Sequence, residues 1–270
     1  MGSRQQIGWW MMVWVLVAIG CGGKPQEVAA TDRTGEPESS APMRLAQAPA
    51  NAQPVAGGGS ATVRGTVRFE GTAPSPTKVK MDADPICQQQ HSAPVASEEV
   101  VVNDNGTLRH VFVYVKEGLS GTFAAPTAPV TLDQSGCWYM PHVLGIQVNQ
   151  PLEIVNSDPT LHNVNAKPAT NRPFNVAQPV KGMKTTKTFT QPEIMVPVKC
   201  NVHPWMRAYI GVVNSPFFGV SGEDGSFAIT GLPAGTYVVE AWHEQYGTQT
   251  QSVSVADGET KSVGFSFKAQ

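Results

Sequence analysis

Val63, Gly65, Val67 and Phe69 alternate with Arg64, Thr66 and Arg68. That period of two predicts a strand with one buried face. The run His110-Val111-Phe112-Val113-Tyr114-Val115 is denser in apolar residues and predicts a strand buried on both faces. Gly145-Ile146-Gln147-Val148 and Leu152-Glu153-Ile154-Val155 flank the turn Asn149-Gln150-Pro151, and Glu193 to Lys199 reads as a further strand. Beyond Val213 the punctuation changes. Gly222-Glu223-Asp224-Gly225 reads as a hairpin turn into a strand, and Gly231-Leu232-Pro233-Ala234-Gly235 as a tight turn into Val238-Val239-Glu240-Ala241-Trp242. Val253 and Val255, then Val263, Phe265 and Phe267, hold alternate positions suited to closing strands. No long helical period interrupts this sequence of strands, so the expected class is all-β.

Composition agrees with that reading: 26 Gly and 22 Pro in 270 residues supply many turns, and 41% apolar residues supply a core. The length is that of one or two domains. With a formal charge of −2 and no basic cluster, nothing in the electrostatics recruits nucleic acid.

The first 20 residues read as an export signal. Arg4 is followed by an apolar run from Ile7 to Ile19, too short for a membrane span of ~20 residues, and Ala18-Ile19-Gly20-Cys21 resembles a lipoprotein cleavage box with Cys21 as the lipid-bearing residue. An uncleaved anchor and a plain signal peptide are the alternatives, and all three place the chain outside the cytoplasm, in the cell envelope. Residues 22 to 60 lack any aromatic side chain and are dominated by Ala, Pro, Gly, Ser, Gln and Glu. Such a segment buries too little to offset ordering entropy, so a tether of roughly 35 Å r.m.s. reach is expected.

The chemistry is concentrated in Lys199-Cys200-Asn201-Val202-His203-Pro204-Trp205-Met206 and in Leu161-His162-Asn163-Val164 upstream. His162, Cys200, His203 and Met206 offer two imidazoles, one thiolate and one thioether, the ligand set of a single type 1 (blue) copper. The thiolate favours Cu(I), the imidazoles suit Cu(II), and a weak axial thioether lets both oxidation states share one geometry. One Cys-x-x-His-x-x-Met arises by chance with a frequency of about 0.003 at this composition.

On these residues the stretch from about Pro141 to Val213 resembles the cupredoxin family, and within it the amicyanins, whose ligand loop also reads Cys-x-x-His-Pro-aromatic-Met. The resemblance implies a Greek-key β-sandwich. It implies that His162, Cys200, His203 and Met206 bind copper and that Asn163 braces the ligand loops by hydrogen bonds. It also implies that His203 reaches the surface, with Pro204 and Trp205 as a docking patch; Trp205 packing over the metal is the alternative. The loop before the first ligand, Asn156-Ser157-Asp158-Pro159-Thr160, departs from the family pattern. Residues 216–270 resemble the carboxypeptidase regulatory-like domain, a small transthyretin-like β-sandwich. Only about 55 residues remain for it, so the 61–71 strand is a candidate to complete its sheet, which would leave the cupredoxin-like domain as an insertion. The expected organisation is therefore 1–20 signal, 21–60 tether, 61–215 cupredoxin-like domain with an N-terminal extension, and 216–270 second sandwich.

Of the four cysteines, Cys21 is assigned to lipid and Cys200 to copper. In an oxidising envelope Cys87 and Cys137 then most simply form a disulfide, which in the chain-entropy model contributes about 4 kcal/mol. A second metal site from Cys87, His91, Cys137 and His142 is the alternative. His110 and His243 lack a ligand partner at useful spacing. Two functions follow: a tethered one-electron carrier serving redox proteins of the cell envelope, or a copper storage or delivery protein with an adhesion or assembly module. An enzyme is not expected, because His-x-His pairs, a Gly-x-Ser-x-Gly elbow and a Walker loop are all missing from the sequence.

Overall fold

The structure, a computed structural model, describes residues 58–269. The expected signal, Cys21 as the expected lipid site and most of the expected tether lie outside the described residues. Within them the chain forms β1 (Ala61–Glu70), α1 (Pro85–Gln89), β2 (Phe112–Glu117), β3 (Val130–Ser135), β4 (Trp138–Met140), β5 (Val143–Gln147), β6 (Leu152–Asn156), β7 (His162–Ala166) and β8 (Phe174–Gln178). It continues through β9 (Lys184–Lys187), β10 (Glu193–Lys199), β11 (Arg207–Val213), β12 (Phe218–Val220), β13 (Ser226–Leu232), β14 (Gly235–His243), β15 (Gly247–Val255), β16 (Thr260–Ser262) and β17 (Phe265–Lys268). The class is all-β, and α1 is a single turn whose cap is supplied by Asp84 with Pro85 at its start.

Two sandwiches result. In the first, a sheet of order β5-β11-β10-β7-β8 faces one of order β4-β3-β6-β9. Leu132, Tyr139, Ile146, Leu152, Ile154, Val164, Val198 and Ile210 fill the space between them. In the second, β1 pairs with β13, β16 and β17 and faces the sheet β12-β2-β14-β15. Val63, Val67, Val113, Phe227, Ile229, Val239, Phe265 and Phe267 form that core. β1 runs antiparallel to β13 and parallel to β16 and β17, because its alternating face Val63, Val67 and Phe69 is what the C-terminal strands need to close their core.

β2 lies inside the 61–215 span assigned from sequence to the cupredoxin-like domain, yet it hydrogen bonds β12 and β14 of the second sandwich. The boundary therefore does not fall at residue 215. The first sandwich is carried between β2 and β12 as an insertion in the second. The cause is the two-sided apolar character of β2: Val111, Val113 and Val115 enter the second core, while Phe112 and Tyr114 point the other way.

That outer face of β2 presses on the first sandwich where Gly145 of β5 pairs with Gly211 of β11. A Cβ at Gly145 would fall 2.3 Å from the Phe218 ring, and one at Gly211 would fall 2.6 Å from the Phe112 ring. Paired glycines thus make a flat seat for two aromatic rings.

Candidate metal centre

β7 begins at His162 and β10 ends at Lys199, one residue before Cys200. The two strands are hydrogen-bonded neighbours through Val198–Ala166 and Lys199–Asn165, so sheet pairing alone carries the first histidine to the cysteine. The chain then curls back. Met206 N–H donates to His203 O at 3.0 Å and Cys200 N–H to Met206 O at 3.1 Å, a loop tight enough to hold Cys200, His203 and Met206 on one side. One ligand atom each from His162, Cys200 and His203 lies within 4.8 Å of the others, and all three residues are buried.

The orientation of the rings is specific. The Nδ1 atoms of His162 and His203 face each other at 2.9 Å, and Cys200 Sγ is 4.0 Å from His203 Nδ1. The Nε2 atoms point outward: His162 Nε2–H donates to Asp158 Oδ2 at 2.9 Å, and His203 Nε2–H donates to Asp84 Oδ2 at 2.9 Å. A carboxylate on the outer nitrogen fixes the tautomer that leaves Nδ1 free for a metal and raises its basicity. Met206 is fully buried in the same cluster as Cys200. Asn163 Oδ1 accepts from Asn201 N at 2.7 Å and lies 3.5 Å from Cys200 Sγ, so it ties the two ligand segments together. The donor set, its burial and the outward hydrogen bonds fit one thiophilic transition-metal ion.

Asp84 and Asp158 carry no signal in the sequence that marks them as partners of the histidines. Asp84 offers only its helix-capping position before Pro85, and Asp158 sits in the loop that departs from the cupredoxin pattern.

The remaining sequence-predicted residues are accounted for as follows. Cys87 and Cys137 form a disulfide. His91 Nε2 bonds Gly136 O at 2.7 Å, and His142 bonds Arg207 O and Glu244, so the Cys2His2 alternative does not assemble. His203 differs from the family expectation. It is 2% exposed because the segment carrying Asp84 and α1 lies over its outer edge, with Cys87 Sγ 3.5 Å from Nε2. Pro204 is exposed and Trp205 half-buried, the latter donating its Nε1–H to Cys137 O at 3.0 Å and packing 5.1 Å from the His203 ring. His243 is buried against Tyr246 and Phe267. His110 lies 4.0 Å from Glu98, away from the cluster.

Electrostatics prepare the centre for a cation. Burial alone would push the Cys200 thiol up, but hydrogen bonds from His162, His203 and nearby backbone outweigh it and bring the pKa down to about 5. Burial would push His162 down, and its bonds to Asp158 and Cys200 instead raise it to about 9. His203 is likewise raised, because Cys200 and Asp84 outweigh burial. At pH 7 the metal-free centre therefore holds a thiolate beside an imidazolium. Metal binding at that pH displaces a proton from His162 and none from Cys200. Calorimetric titration in buffers of different ionisation enthalpy should read a release of about one proton from His162, shrinking as pH rises through 9, with a further proton from Cys200 below pH 5.

Residues 206–268 match the family model of the carboxypeptidase regulatory-like domain, a span that starts inside the ligand loop and omits β1 and β2. No curated protein matches the chain. Among solved structures, a copper-containing nitrite reductase from Thermus scotoductus is similar at 27% identity over 36% of this chain, with a TM-score of 0.31. This chain spans 25% of that enzyme's length. An amicyanin variant in the Cu(I) form is similar at 20% identity over 37% of this chain and 97% of its own, TM-score 0.28. A purple cupredoxin from Nitrosopumilus maritimus is similar at 20% identity over 32% of this chain and 98% of its own, TM-score 0.27.

Proposed function

We propose that the protein is a type 1 copper protein that carries single electrons between redox partners of the cell envelope, tethered there through a lipid on Cys21. The observation that carries this reading is the convergence of the Nδ1 atoms of two buried histidines on a buried thiolate, with both outer nitrogens already held. His162, Cys200 and His203 would form the equatorial set and Met206 the axial one, and copper so bound exchanges one electron with little rearrangement. The chain's part is to keep the cavity dry, to fix both imidazole rings, and to hold the sulfur ionised. Every ligand is buried, so no position at the metal faces a substrate, which favours a carrier over an enzyme.

The route to a partner differs from an exposed-histidine arrangement. With the outer edge of His203 covered, an open groove that includes Cys200 in its lining runs past Lys167, Lys199, Asn201, Pro204 and Arg207. Three cations beside the thiolate residue suit a partner with an acidic face, and such encounters are small and weak.

Anaerobic titration with copper followed by visible spectroscopy and voltammetry tests the reading. Intense thiolate-to-Cu(II) absorption with a reversible one-electron couple is expected. Ready loss of Cu(I) to chelators without a reversible couple would instead identify a storage or delivery protein.

A further inference from the structure

Each half of the Cys87–Cys137 disulfide anchors a carboxylate that holds a copper-ligand histidine. Cys87 N–H donates to Asp84 Oδ1 at 3.3 Å, beside Ile86 N–H at 2.9 Å, and the other oxygen of Asp84 takes the His203 Nε2–H at 2.9 Å. Cys137 N–H donates to Asp158 Oδ2 at 2.7 Å, beside Gly136 N–H to Oδ1 at 2.8 Å, and the same Oδ2 takes the His162 Nε2–H at 2.9 Å. The bridge, which is fully buried, therefore closes a ring: His162, Asp158, Cys137, Cys87, Asp84, His203, and back across the Nδ1 pair. Sulfur itself completes the contact, with Cys87 Sγ 3.5 Å from His203 Nε2 and Trp205 clamped to Cys137 O at 3.0 Å.

The two carboxylates arrive from distant parts of the chain. Asp158 lies in the loop before β7, within the first sandwich. Asp84 belongs to a segment with little regular structure, whose link to the centre is the bridge, a 3.3 Å bond from Thr160 Oγ1 to Asp84, and the packing of Met81, Val79 and Val95 on the first core. The bridge is the covalent tie between the two carboxylate-bearing segments, beside the weaker Thr160–Asp84 and His91–Gly136 bonds and the packing of Met81.

We propose that the Cys87–Cys137 disulfide is a redox-sensitive clasp on the copper ligands, and that opening it raises the reduction potential of the copper. The inference rests on the type 1 copper reading above. A carboxylate on the outer nitrogen makes an imidazole a stronger donor, which favours Cu(II) over Cu(I), and losing such an outer partner typically costs 10–100-fold in metal affinity. Opening the bridge takes two electrons and two protons to the two sulfurs; an external dithiol supplies them and becomes a disulfide in turn. The covalent tie between the Asp84 and Asp158 anchors is then gone.

The test uses the copper-loaded full-length protein and compares wild type, Cys87→Ala/Cys137→Ala, Asp84→Asn/Asp158→Asn, and the variant combining all four changes. Wild type must first show the thiolate band; if it does not, the copper reading fails, not the clasp. Given the band, the cysteine variant should favour Cu(I) by about tenfold more than wild type, a rise of about 59 mV for a one-electron couple. The aspartate variant should shift the same way, and the fourfold variant should go no further than the aspartate variant, because bridge and carboxylates act as one chain. In the diamagnetic Cu(I) protein, nitrogen-15 NMR should show the Nε2–H hydrogen bonds of both histidines to their carboxylates weakened in the cysteine variant. An unchanged potential in the cysteine variant, or shifts that add in the fourfold variant, would overturn the proposal. If the cysteine variant does not fold, the aspartate variant keeps the bridge and decides alone: an unmoved potential there overturns the clasp.

Discussion

Cys200→Ser is expected to abolish the intense visible absorption of the copper-loaded protein and to lower copper affinity more than about 100-fold, a larger loss than removing an outer hydrogen-bond partner. The band arises from charge transfer out of the thiolate, and a serine hydroxyl does not ionise in its place. The change should also be visible without metal. Cys200 is one of the groups that hold the His162 pKa at about 9, so in the serine variant His162 should titrate lower, with Asp158 still preventing a return to its ordinary value. Melting temperature should move little, because the side chain is nearly isosteric and its strand contacts are backbone ones. Absorption spectra, competition with a copper chelator and histidine NMR check the three parts. A serine variant that kept both the band and the affinity would show that Cys200 is not the thiolate ligand.

How much of this was legible in advance depended on the distance over which each signal acts. The ligand loop reads directly from sequence because Cys200, His203 and Met206 are three apart and their types are rare together. The strands around Gly145, Leu152 and Glu193 follow from short apolar runs with turn residues between them. The disulfide followed from counting cysteines, though spacing alone left His91 and His142 as rivals. The outer shell was not legible. Asp84 sits 119 residues from His203, in a stretch without periodicity, and a lone aspartate before a proline ordinarily signals a helix cap and nothing else. The covering of His203 was hidden for the same reason, since the covering segment packs mainly through Met81 and the disulfide. The domain boundary misled because β2 carries two apolar faces. A strand buried on both sides was anticipated at 110–115, but pattern cannot say that its two faces belong to different sandwiches.

That double burial carries the remaining large expectation. Phe112→Ala should destabilise the protein by about 3–5 kcal/mol, as for other fully buried aromatic truncations, and lower its melting temperature by roughly 10 °C or more. Phe112 is 0% exposed. Its ring stacks 5.4 Å from Tyr114 and lies 5.7 Å from Phe218, and it covers Gly211 beside the Met195 methyl group. Collapse is hindered on both sides, by the sheet of β5 and β11 below and by β14 alongside, so the cavity term should be near the upper end. The copper spectrum should be unchanged, since Phe112 belongs to a cluster separate from the one holding Cys200 and Met206. In wild type, loss of the visible band and loss of β-structure by circular dichroism should coincide on heating, because β2 shares its two faces between the sandwiches. In the variant the link is weakened, and the two transitions should separate, the second sandwich melting first because β2 is part of its sheet. Coincident transitions with a wild-type midpoint would show that the Gly145–Gly211 seat is a passive contact and that the copper-side sandwich draws no stability from the strand that frames it.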